Sequence, residues 1–210
     1  MGPADRGGAP FVTGLVLAAG GSRRLGRPKQ LLAYGEGTLL GHTLATARAC
    51  GFDQLLCAVG GSAEAVRAGV DLRGDEVVEN PHFGAGCSSS VAAAVAAVDP
   101  RSEVLVLLLG DQPGVGVATV RALLDGRGDA ALAVCRYDDG RGHPLAFGAT
   151  AFAELAALRG DKAVWKLLDR HAGEVIEVAV PGRVPLDVDT WEDYAAVLAT
   201  AGMPAPEPVS

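Results

Sequence analysis

Short apolar runs alternate along this chain with alanine-rich stretches of helical character. The runs at 14–18 (GLVLA), 55–59 and 104–109 (VLVLLL) have no polar face, as expected of strands covered on both sides. A short strand starts at Val77 and Val78 and ends at Asn80-Pro81, and 130–135 and 175–180 add two more. Helices are predicted over 38–50, 62–68, 90–98, 117–124, 150–158, 163–170 and 190–199. Thr38 and Ser62 read as N-caps and Gly51 as a stop. Buried strands separated by helices predict a single α/β domain over 12–200, a three-layer sandwich with a mostly parallel sheet. Residues 1–11 read as a flexible lead and 201–210 as a flexible tail. In such a sheet ligands bind beyond the carboxyl ends of the strands, so the segments just after each strand are where chemistry is expected.

Composition narrows the classes. With 49% apolar and 20% charged residues in a chain of 210, a large core is expected and wholesale disorder is excluded. A net charge of −7 argues against a nucleic-acid partner, which needs a basic face. No apolar run approaches the roughly 18–20 residues of a membrane helix. Cys50, Cys57, Cys87 and Cys135 show no metal or redox spacing and read as thiols of a reducing compartment. The first ten residues lack the apolar stretch of a signal peptide, so a cytoplasmic protein is expected.

After the first strand comes AAGGSRRLGRPK at 18–29. Its glycines allow a tight turn whose N–H groups can face phosphate oxygens. Arg23, Arg24, Arg27 and Lys29 put four cations within seven residues of an acidic chain. The segment fits neither the dinucleotide-binding glycine pattern nor an ATPase P-loop, and a solvated basic turn is the plain alternative. After the third strand, NPHFGAGCSSS at 80–90 offers hydroxyls and N–H groups at a helix start, for an anion or simply for capping. After the fourth, Gly110-Asp111-Gln112-Pro113 places a carboxylate at the end of the most apolar strand, where solvent, a partner or a metal must compensate it. In PLDVDT at 185–190, Asp187 and Asp189 share one side of an extended segment, and Asp189 or Thr190 can also cap the final helix. His143-Pro144 follows the glycine-rich turn at 139–142, and Gly160-Asp161-Lys162 opens a helix.

Taken in order, these segments resemble the MobA-like nucleotidyltransferase family, nearest its molybdenum cofactor cytidylyltransferase branch. The resemblance is carried by LAAGGSRRLGRPKQLL at 17–32, NPHFGAGCSSS at 80–90, GDQP at 110–113, GRGHPLAFG at 140–148, LRGDKAVWKLL at 158–168 and LDVDTWEDY at 186–194. It implies a Rossmann-like fold of the nucleotide-diphospho-sugar transferase kind and transfer of a nucleotidyl group from an NTP. It also implies that Ala18, Ala19, Gly20, Gly21, Ser22, Arg23, Arg24, Gly26 and Lys29 hold the nucleotide. Arg24, Lys29 and Asp111 take the catalytic roles in that likeness. Mg2+ sits on Asp111 and Asp189, with Asp187 a weaker candidate. Asn80, Gly86, Ser88, Ser89, Ser90 and His143 face a phosphate-bearing acceptor such as molybdopterin. Leu17-Ala18-Ala19-Gly20 matches the CTP-using members rather than the GTP users, which read Leu-Ala-Gly-Gly. The chain departs from the family at 160–165, where Gly-Asp-Lys-Ala-Val-Trp replaces Gly-Asp-x-Gly-Ala-Arg.

Three other functions stay open on these residues. One is guanylyl or cytidylyl transfer to another small phosphorylated acceptor. Another is oxidoreduction with NAD(P)H, as some members of this branch are described to perform. The last is a cofactor-binding protein that delivers to a molybdoenzyme or its insertion partner. The expected state is a monomer or dimer, with small molecules as ligands and neither nucleic acid nor membrane as a partner.

Overall fold

β1 (Val12–Ala18) and β6 (Val104–Leu109) lie side by side and parallel at the centre of the sheet, Leu15 opposite Leu107. Their alternation divides the core in two. Val16, Val104, Val106 and Leu108 point to one face and Leu15, Leu105 and Leu107 to the other, all essentially solvent-free. Fully burying each such side chain stabilises by about 1.5–3 kcal/mol. The computed structural model describes residues 9–160 and 162–205. Residues 1–8 of the expected lead, Asp161, and 206–210 of the expected tail lie outside the described residues.

Among the described residues the main sheet has seven strands. β4 (Gln54–Val59) and then β5 (Glu76–Glu79) extend it on the β1 side, both parallel. Beyond β6 come β8 (Gly140–Gly148), β7 (Leu132–Tyr137) and β9 (Val175–Ala179), giving the order β5-β4-β1-β6-β8-β7-β9. Only β8 runs against its neighbours. Helices α1 (Leu39–Cys50), α2 (Ala63–Gly69) and α4 (Val117–Arg127) cover one face. Helices α3 (Cys87–Ala96), α5 (Phe152–Ala157) and α6 (Ala163–Arg170) cover the other. This is the three-layer, mostly parallel architecture that the sequence predicts. No described helix is long and apolar enough to cross a membrane.

α1 ends as its sequence dictates, with the Thr38 hydroxyl accepting from the Gly41 N–H at 3.0 Å and Gly51 in the left-handed region at φ 74°. Other boundaries differ. Ser62 makes no side-chain cap; the backbone closes the turn instead, through Ala63 N–H to Gly60 C=O. α3 begins at Cys87, ahead of the expected start, because Gly86 takes φ 102° and carries the backbone into the helix. The predicted 139–142 turn belongs largely to β8, the strand that pattern reading misses. Its ladder with β7 slips between Val134 and Cys135, pairing Leu145 with one and Gly142 with the other. His143 and Pro144 therefore stand outside the pairing, where proline's missing donor is harmless. Gly142 is required, since a Cβ there would lie 2.9 Å from Val184 and 3.0 Å from Tyr137.

A third apolar cluster joins Leu25, Leu32, Leu39, Val188, Tyr194 and Val197. It packs α7 (Trp191–Thr200) and a small hairpin, β2 (Ala33–Tyr34) with β3 (Gly37–Thr38), beneath the loops that follow β1 and precede α7. Met203 packs against the same cluster.

Candidate active site

The chain leaves β1 toward β4 on one side, and β6 lies on the other, so the sheet's switch point falls beyond the ends of β1 and β6. A cavity of about 720 Å3 opens there, within the range of small-molecule sites. Gly110 lets the two strand ends meet: a Cβ would sit 3.0 Å from Leu40 and 3.1 Å from Ala18.

The loop after β1 is held by its own side chains. Ser22 takes a positive φ of 47° and its Oγ accepts from the Lys29 N–H at 2.9 Å. Leu25 and Gly26 donate their N–H groups back to Ser22 C=O, both at 3.2 Å, and Leu25 is buried beneath the loop. Gln30 reaches under it, donating Nε2–H to Ala18 C=O at 2.6 Å and to Gly20 C=O at 3.1 Å. Lys29 crosses beside Gly20, where a Cβ would lie 3.3 Å from its Cε.

Charge converges at the cavity floor. Lys29 Nζ donates to Asp111 and, at 2.8 Å, to Asp189 Oδ1, while Arg24 Nη2 meets Asp189 Oδ2 at 2.5 Å. Burial works against the charged Lys29, but the two carboxylates outweigh it and raise its pKa above the ordinary lysine value. Burial pushes Asp111 up; the Lys29 ammonium pulls the other way and only partly offsets it. Lys29, with help from Arg24, holds Asp189 below the usual carboxylate range. Asp189 is delivered by the capping box of α7, in which Thr190 Oγ1 accepts from the Asp193 N–H and the Asp193 carboxylate accepts from the Thr190 N–H. Thr190 is thus the cap and Asp189 is left to face the cavity.

The sequence candidates separate into those that line the cavity and those that build it. Ala18, Ala19, Gly20, Gly21, Ser22, Arg23, Arg24, Lys29, Asp111, Asp187 and Asp189 line it, as do Gly86, Ser88, Ser90 and His143 across the floor. Gly26, Asn80 and Ser89 are not among the lining residues. Asn80 is buried and donates Nδ2–H to Ser89 Oγ at 2.8 Å and Ser90 Oγ at 2.9 Å, so it shapes the 80–90 loop. Lining residues that the sequence reading did not single out include Gln30, Phe83, Leu107 and Val164. Trp165 and Lys162, from the departing segment, line the cavity too.

The donor set suits a hard cation brought in with phosphates. Such an ion needs one or two protein carboxylates and takes its other oxygens from substrate and water. Asp111 and Asp189, brought together on the Lys29 ammonium, are two carboxylates of that kind. Among the described residues no group of three or more His, Cys, Asp or Glu side chains forms a self-sufficient metal cage.

His143 is almost fully buried against Trp165, ring edge to ring face at 5.5 Å between centroids. Burial lowers its pKa to about 4, so at neutral pH it is an uncharged hydrogen-bonding group. Between pH 6.5 and about 4 the unfolded chain binds a proton at this histidine that the folded chain refuses. Folding stability therefore falls as pH drops through that window, by about 3 kcal/mol at its lower end. Urea unfolding of the wild type and His143→Gln at pH 7 and pH 4.5 checks this: the variant should lose less stability on acidification. Equal losses would rule His143 out as the source.

A glycine turn, paired cations and convergent carboxylates at the switch point of a parallel sheet define a nucleotidyltransferase-type α/β protein. Residues 14–175 match the MobA-like NTP transferase domain, and the chain belongs to that family. It is 52% identical to Rv0371c of Mycobacterium tuberculosis H37Rv, whose structure aligns with a TM-score of 0.83 over 91% of this chain and 99% of that one. A structure of Rv0371c in complex with manganese aligns with a TM-score of 0.79 at 50% identity, over 90% and 99% of the two chains. Nicotine blue oxidoreductase of Paenarthrobacter nicotinovorans is 36% identical over 148 residues, 67% of this chain and 72% of that protein.

Proposed function

We propose that this protein transfers a cytidylyl group from CTP to a phosphate-bearing acceptor, molybdopterin first among the candidates, and releases pyrophosphate. The observation that carries the proposal is the convergence of Lys29, Arg24, Asp111 and Asp189 beneath the glycine turn. The choice of CTP rests on the Leu17-Ala18-Ala19-Gly20 resemblance. In this reading an acceptor phosphate oxygen attacks the α-phosphorus of CTP. A new P–O bond forms, the bond to the bridging oxygen of the β-phosphate breaks, and pyrophosphate leaves with that electron pair. No protein nucleophile is needed, so positioning and electrostatics carry the rate. The 19–22 backbone and Arg24 orient the triphosphate, and Lys29 sets its charge against the departing pyrophosphate. Asp111 and Asp189 would hold Mg2+, which when bound supplies neutralisation of phosphate charge. The manganese complex of Rv0371c supports a divalent cation in this family. Ser88, Ser90 and neutral His143 would meet the acceptor.

Incubation with α-labelled CTP, Mg2+ and molybdopterin tests this. Labelled acceptor and unlabelled pyrophosphate, formed in equal amounts, are the expected outcome, and neither product should form without acceptor. A second reading, NAD(P)H-dependent oxidoreduction, is favoured by the likeness to nicotine blue oxidoreductase. It predicts consumption of NAD(P)H and no pyrophosphate.

A further inference from the structure

Among the described residues, the buried side-chain polar atoms without a hydrogen-bond partner are the amide oxygens of Gln30 and Gln112. Both side chains are nearly sealed from solvent, at 3% and 5% exposure. A buried acceptor left unpaired costs free energy, and methionine or leucine would fill either space without that cost. Packing therefore does not explain why glutamine stands at these positions. The donor end of each amide does. Gln30 Nε2–H grips the carbonyls of Ala18 and Gly20, the two ends of the turn that faces the cavity. Gln112 Nε2–H grips Pro185 C=O at 3.1 Å, at the start of the irregular segment that carries Asp187 and Asp189. Gly114 packs against the same proline, with a Cβ position 3.3 Å from it.

The two glutamines occupy equivalent places. Each directly follows a charged residue of the site, Lys29 in one case and Asp111 in the other. Each reaches from there to the backbone of another segment that must face that residue. The segment over 185–189 has no ladder to hold it; besides Gln112 it is held by buried Val188, by the Asp193 carboxylate, which accepts from the Asp189 N–H at 3.2 Å, and by the ion pairs of Asp189 with Lys29 and Arg24. We infer that Gln30 and Gln112 are positioning residues, two buried amide clamps that hold the 18–20 turn and the 185–189 segment in register with Lys29 and Asp111. Neither touches the reacting atoms in this role; each acts through the backbone it holds.

The test compares wild type with Gln30→Met and Gln112→Met by thermal melting, amide hydrogen exchange and titration with Mg-CTP. Melting temperatures should fall by no more than a few degrees, because each substitution removes an orphaned acceptor as it gives up the hydrogen bonds to the clamped carbonyls. Exchange should accelerate locally, over 19–26 in Gln30→Met and over 185–190 in Gln112→Met. Mg-CTP affinity should fall by about tenfold or more in each, the size of one weakened hydrogen bond to a charged group. Wild-type exchange and affinity in both variants would overturn the inference, and so would affinity losses that merely track a fall in melting temperature. Gln→Leu variants replace any methionine variant that does not fold; failure of both would make the glutamines core residues and overturn it too. The titration rests on the transferase reading, whereas the exchange pattern does not. If wild type binds no Mg-CTP, that reading fails and exchange alone still decides the clamps.

Discussion

Replacing Asp111 with asparagine is expected to lower cytidylyl transfer by about 10²–10⁴-fold while the protein stays folded. Asp111 sits just past the end of the most apolar strand, its side chain 14% exposed and bonded to Lys29. Asparagine keeps its size and removes the charge that pairs with the ammonium and that, on the proposed function, would hold a divalent cation. Lys29 retains Asp189 at 2.8 Å, so no buried charge is abandoned. The loss of stability should then stay below the roughly 3–5 kcal/mol of a broken buried pair. The labelled-CTP assay and a melting curve on the same preparation separate the two effects. Turnover within a few-fold of wild type would remove Asp111 from the reacting centre.

Lys29→Met is expected to act on both binding and turnover. It deletes the group that ties the loop after β1 to the carboxylates from β6 and from the segment before α7. Loss of one preorganised cation at a departing pyrophosphate lowers kcat/KM by about 10²–10³-fold, with KM for CTP rising as well. Asp111, already pushed up by burial, also loses the ammonium that pulls it down, so it holds its proton to higher pH than in wild type. The residual activity of the variant should therefore decline more on acidification than that of wild type. Lys29→Arg should rescue only in part, because a planar guanidinium does not reproduce a point charge shared by two carboxylates. Unchanged steady-state kinetics in Lys29→Met would refute its phosphate role.

What the chain discloses in its letters follows the physics of each part. β1 and β6 were legible because strands buried on both faces leave unbroken apolar runs, and α1 because its cap and stop are both local signals. The position of the cavity was legible for the same reason, since the charged segments that line it follow those strands directly. β8 was not, because Gly142 and Pro144 punctuate it and its slipped pairing with β7 is a tertiary property. The hairpin of β2 and β3 is two residues a side, too short for any periodicity. Asn80 and Ser89 read like ligand groups, yet they bond to each other, because a polar residue on a loop gives no sign of which way it turns. Gln30 and Gln112 were invisible for the opposite reason. An uncharged amide beside a charged residue draws no notice until its two ends are seen, one bonded and one orphaned. Trp165 and Lys162 stood out only as a departure from the family pattern, and both line the cavity, Trp165 packed edge to face with His143.

Calorimetric titration of the purified protein with CTP, GTP, ATP, UTP and NADPH, each with Mg2+, tests the central claim most directly, since it needs no acceptor. Mg2+-dependent binding of CTP, tighter than that of GTP and abolished by EDTA, is the predicted result. Binding of NADPH with no affinity for any triphosphate would contradict the account and make the site that of an oxidoreductase.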